Sequence, residues 1–66
     1  MSDEEKIILM AREIADELCK ETKADKCHTI VYNILKTGKI NHESLREIPP
    51  EDRERIKEKL KELGVE

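Results

Sequence analysis

Only four residues in this chain interrupt a helix by their own chemistry: Gly38, Pro49, Pro50 and Gly64. Glycine supplies the left-handed conformation that closes a helix at its C-terminal end. Proline lacks an amide donor and is accepted in a first helical turn but not in an interior one. Between these breaks the apolar residues recur at three- and four-residue spacing, the helical period. The pattern predicts an all-α fold: a small helical bundle of three principal helices plus one short helix before the last. It places them at about 3–21, 23–37, 42–47 and 51–63, in a single domain over residues 1–66.

In the first segment, Ser2 followed by Glu5 has capping-box spacing, and Asp3, Glu4 and Glu5 suit the positive end of the helix dipole. At 100° per residue, Ile7, Ala11, Ile14, Ala15, Leu18 and Thr22 share the inward face. Ile8 and Cys19 flank it on one side and Met10 on the other, while Leu9 points away, among Glu5, Arg12, Glu13 and Asp16. The second segment has Thr22 and Asp25 as a capping pair and Gly38 as its stop, with Ala24, Cys27, Ile30, Val31, Ile34 and Leu35 inward. His28, Tyr32 and Lys36 lie along its flank, one turn apart. The β-branched Ile30 and Val31 look locally strand-like, but the three-four spacing outweighs them.

Asn41 is a good N-cap for the short helix, which turns Leu45 and Ile48 inward and stops before Pro49. Pro50 suits the first position of the last helix, with Glu51 and Asp52 in its first turn. Ile56, Leu60 and Leu63 form a narrow seam, Glu51 and Arg55 are spaced for an i,i+4 ion pair, and Val65 can fold back past Gly64 onto Leu60.

Composition narrows the function classes. Charged residues make up 44% of the chain, against roughly 25% in ordinary domains, and they are interspersed with apolar positions as on solvated helix faces. There is no Phe or Trp, so the core is aliphatic and Tyr32 is the single aromatic. A net charge of −3 argues against nucleic-acid binding, which needs a surplus of Lys and Arg, although residues 26–42 hold Lys26, Lys36 and Lys39 and no acid. The acidic start is unlike a signal peptide, and the longest apolar run, Ile7 to Ala11, is far shorter than the ~20 residues a membrane span needs. A soluble chain with no readable address is expected.

The segments "MSDEE", "KTGK", "PPEDRE" and "KELGVE", with helices saturated in Glu, Lys and Arg around an aliphatic core, resemble de novo designed helical miniproteins. That resemblance spans the whole chain and implies a helix face presented to a protein partner. Thermophile proteins share much of this composition. The two cysteines, the two histidines, Asn33 and the stretch "HTIVYNILKTGKINH" depart from an idealised design. A short helix before the last one is also a feature of FF domains, but the two phenylalanines that define that family are absent.

Cys19 and Cys27 are symmetric about the expected helix–helix turn. They are either a disulfide across an antiparallel hairpin or two small packed thiols. Adding His28 and His42 makes four zinc-type ligands, but structural zinc sites begin with ligands two to four residues apart, so no metal and no other cofactor is expected. No catalytic residues emerge: there is no Cys-x-x-Cys and no phosphate-binding glycine loop, and Cys27 and His28 point about 100° apart on a helix. His28 and Tyr32 read either as amphipathic side chains at the core boundary or as a contact patch. Leu9 and Met10 give the first helix more apolar circumference than its fold requires.

The expectation is a non-enzymatic protein-binding module using Leu9, Met10, His28 and Tyr32. The alternatives are a partnerless scaffold, a homodimer completed along the last helix, and a helix-turn-helix-like nucleic-acid domain using Lys26, Thr29, Asn33, Lys36 and Lys39.

Overall fold

A computed structural model describes residues 3–65. It contains four helices in chain order, α1 (Asp3–Leu18), α2 (Ala24–Thr37), α3 (His42–Leu45) and α4 (Pro50–Glu62), and no strand among the described residues. The expected Ser2 cap lies outside them. The Cα radius of gyration is 10.6 Å, close to the ~11 Å of a compact domain of this length.

α1 and α2 form an antiparallel hairpin with the most extensive helix–helix packing in the molecule. Two surface side-chain pairs mark its register. The Tyr32 hydroxyl donates to Glu4 Oε1 at 2.9 Å, and Arg12 lies 3.6 Å from the Asp25 carboxylate. α4 packs against α1 and closes the core with Ile56 and Leu60. Ala11, Ala15, Val31, Ile34, Leu45, Ile48, Ile56 and Leu60 are almost fully buried in one cluster with Ile14, Cys27, Ile30 and Val65. Alanine at positions 11 and 15 keeps the α1 surface shallow there, so the larger side chains of the other helices can fill the interior.

Several ends form as local chemistry dictates. Gly38 adopts φ +77° and returns its amide to Ile34 O at 2.9 Å. Asn41 caps α3 by accepting from the amides of Glu43 and Ser44 at 3.1 and 3.2 Å. Pro50 occupies the first turn of α4. At the far end of α4, Val65 N donates to Leu60 O and Gly64 N to Lys61 O, the paired bonds of a Schellman ending. Val65 is thereby buried in the cluster that contains Leu60.

Other expectations are corrected. α1 stops at Leu18 rather than Glu21, because the amides of Lys20, Glu21 and Thr22 turn away from the helix and donate to Asp52. Thr22 and Asp25 are not a capping pair. The cap position of α2 is Lys23, which makes no side-chain cap bond, and the Thr22 hydroxyl is taken by Asp52. α3 ends at Leu45 instead of 47, and the chain continues through i→i+3 bonds to Ile48. Leu63, expected in the inner seam, is half exposed, because Val65 folds back as the terminal apolar residue of α4. Ile8, expected beside the inward face, is also exposed.

Candidate functional site

The largest departure from the expected pattern is Asp52. Pro50 starts α4 and leaves Asp52 at the third helical position, where an acid favours the dipole. The side chain does not face solvent, however. It is fully buried and receives the chain leaving α1. Oδ1 accepts from Lys20 N at 3.1 Å, and Oδ2 accepts from Glu21 N and Thr22 N, both at 2.9 Å, and from the Thr22 hydroxyl at 3.1 Å. Arg55 completes the set: its Nη2 contacts Asp52 Oδ1, while its Nε donates to Leu18 O at 3.1 Å. Arg55 therefore pairs with Asp52 and not, as the spacing suggested, with Glu51.

Burial pushes the Asp52 carboxyl upward. The amide donors at Lys20 and Glu21, Arg55 and the Thr22 hydroxyl outweigh that effect and hold its pKa at about 2, below the usual 3.8. The carboxylate satisfies three amides that α1 leaves unpaired, and the guanidinium satisfies the last α1 carbonyl. Arg53, two residues before Arg55, does the same for α3 by donating to Leu45 O and Ile48 O, both at 3.0 Å. α4 thus binds the ends of two other helices through Asp52, Arg53 and Arg55, in its first two turns.

Beside this anchor, the sulfurs of Cys19 and Cys27 lie at bonding distance, with their Cα atoms 6.5 Å apart. Of the two arrangements the sequence left open, this is the disulfide. With both sulfurs engaged, a zinc set with His28 and His42 does not assemble. His42 lies apart, in a cleft with Ile40 and Lys61. Among the described residues no three His, Cys, Asp or Glu side chains converge on a point that could hold a metal ion.

The surface candidates fall into two groups. On α1, Ile8, Leu9 and Met10 are 40, 52 and 38% exposed. Consecutive residues turn by 100°, so these three form an apolar belt around the outer half of the helix. Met10 continues toward α4, where it lines a shallow groove with Glu13, Ile14, Lys59 and the exposed Leu63.

The second group lies on the seam between α1 and α2. Tyr32 is half-buried against the core, its hydroxyl is bonded to Glu4, and the Lys36 ammonium sits 5.7 Å from its ring centroid. His28 is 6.4 Å from Tyr32 between ring centroids, and its buried Nε2 has no hydrogen-bond partner among the described residues. Ile8, midway between Glu4 and Arg12, stands level with the His28 turn by the register of the hairpin. Ile8, Leu9 and Met10 thus share one level of α1, Met10 on the α4 side, while His28 and Tyr32 lie on α2 across the hairpin seam.

Of the basic residues on α2, Lys36 is engaged with Tyr32, and the Asp25 carboxylate is almost fully exposed on the same helix. No helix among the described residues is long and apolar enough to cross a membrane. No protein-family model matches the chain, and no curated protein or solved structure matches it either.

Proposed function

We propose that the chain is a non-enzymatic binding module that engages a protein partner through the outer half of α1. Leu9 and Met10 supply the centre of the contact, Ile8 extends it, and His28 and Tyr32 form its edge on α2. The observation that carries this reading is the exposed belt Ile8–Leu9–Met10. Single exposed apolar residues are ordinary, but three in succession around a helix whose core face is already complete are more than folding requires. Methionine and tyrosine also suit contact surfaces, the first through adaptability and the second through large area at low entropy cost. The reading agrees with the resemblance to designed helical miniproteins, which are often built as binders.

The test compares the native chain with the double variant Leu9→Ala/Met10→Ala as bait in quantitative affinity capture. The variant should retain its melting temperature within a few degrees and lose its specific partners at least tenfold. If the partners remain, or if the variant melts far lower, those residues are not the contact. Tyr32 is unsuitable for this comparison, because its ring packs on the core and its hydroxyl joins α1 to α2.

A homodimer is the second reading, favoured by one observation: Leu63 lies exposed across the groove from Met10, so the last helix carries an uncovered apolar residue. Sedimentation across a hundredfold concentration range separates the two readings. A monomer throughout removes the dimer.

A further inference from the structure

The disulfide and the Asp52 anchor meet in one loop. The Cys19–Cys27 bond closes a ring of chain, and all three amides that hold Asp52, those of Lys20, Glu21 and Thr22, lie inside it. These residues belong to neither α1 nor α2, so no intrahelical bond fixes their backbone. On either side, Cys19 N donates to Ala15 O and Cys27 N to Lys23 O, both at 3.1 Å, tying the two cysteines to the helices. The ring therefore holds the loop in the shape that aims three donors at one carboxylate. In return, that carboxylate with Arg55 is the polar attachment of α4 to the end of α1.

We propose that the Cys19–Cys27 bond is a redox gate on this attachment: opening it with a dithiol releases Asp52 and the first turn of α4, while the α1–α2 hairpin stays folded. A thiolate of the dithiol attacks the sulfur of Cys19, the half-buried member of the pair, and breaks the S–S bond. Cys27 leaves as a thiolate and takes up a proton. The second thiol of the reductant then attacks the mixed disulfide, giving up its proton to solvent. Cys19 departs as a thiolate and is protonated, and the reductant is left as a cyclic disulfide. Two electrons and two protons have passed to the protein.

Release follows from the coupling of loop order and burial. Opening the ring returns conformational freedom to residues 20–23, between the two helices, which the carboxylate must then remove without the bond. A carboxylate that loses its donors does not remain buried, because an unpaired interior charge is strongly disfavoured. Asp52 therefore moves to water and carries the start of α4 with it. The hairpin keeps its own support far from the loop, through buried Ala11, Ile30, Val31 and Ile34 and the Tyr32–Glu4 bond.

The test is amide hydrogen exchange, read by NMR on the full chain, with and without dithiothreitol. Reduction should speed exchange at Lys20, Glu21 and Thr22 at least tenfold, while Val31 and Ile34 change by less than twofold. The double variant Cys19→Ser/Cys27→Ser should reproduce the reduced pattern without reagent. Unchanged rates at Lys20–Thr22 in that variant would show that the anchor does not need the bond, and overturn the proposal. A parallel rise at every site would also overturn it, by making the bond a staple of the whole fold and not a gate.

Discussion

Replacing Asp52 with Asn tests whether the anchor is ionic, because it keeps the shape of the side chain and removes the charge. One oxygen remains to accept, but an NH2 group now faces donors that have no other acceptor. The depressed carboxyl pKa, from 3.8 to about 2, corresponds to about 2.5 kcal/mol at neutral pH by proton linkage. Removing one partner of a buried charged pair typically costs about 3–5 kcal/mol. The lower end applies, since the Arg55 side chain is one-third exposed and solvent can partly replace its partner. The expected loss is therefore about 3 kcal/mol, or about 12–24 °C in melting temperature for a domain of this size.

The assay is urea denaturation followed by circular dichroism, for both proteins, from pH 7 to pH 2. The folded pKa lies below the unfolded one, so the Asp52 contribution is complete above the unfolded value and fades as pH falls through about 2. The stability difference between native protein and Asp52→Asn should stay constant down to about pH 5 and then shrink. A difference below about 0.5 kcal/mol at pH 7, the scale of an ordinary surface substitution, would refute the reasoning. So would a large difference that ignores pH, because it would arise from shape and not from charge.

Further substitutions probe the rest of the frame. Arg53→Ala removes the fork that serves Leu45 O and Ile48 O and should cost about 2 kcal/mol in urea denaturation; Lys at this position should not restore it, since an ammonium cannot match the fork. Gly38→Ala forces a Cβ onto a residue at φ +77° with open space around it, so the penalty is the backbone strain alone, about 1 kcal/mol in the same assay. Ile34→Ala opens a hole in the buried cluster and should cost about 3 kcal/mol, whereas Leu9→Ala on the exposed belt should stay within about 0.5 kcal/mol; comparable losses for the two would contradict the assignment of Leu9 to the outer face.

What was legible in the sequence is what depends on near neighbours. The Asn41 cap, the Gly38 and Gly64 endings and the start at Pro50 each involve partners within a few residues, and all four form as expected. The inward faces of α1 and α2 also follow, because helical period alone brings Ala11, Ile14, Ala15, Cys27, Val31 and Ile34 to one side. Asp52 and Arg55 were not legible. Their partners lie 30 to 37 residues away, and a first-turn aspartate has the same sequence context whether it meets water or a loop. That single long-range contact also explains the misplaced end of α1 and the reassigned Thr22. Leu63 fails for a related reason: a helical angle gives direction, but not whether another element stands opposite. The apolar excess at Leu9 and Met10 was readable, since no neighbour was needed to see that the core face was already full.

The central structural claim is that α4 is held to the end of α1 by a buried, ionised Asp52. The most direct measurement is the titration of the Asp52 side-chain carboxyl carbon by NMR in the folded, disulfide-bonded protein. The account predicts a midpoint near 2, where burial is outweighed by the Lys20, Glu21, Thr22 and Arg55 donors. A midpoint at or above the ordinary 3.8 would contradict it, because the donors would then not be holding the charge.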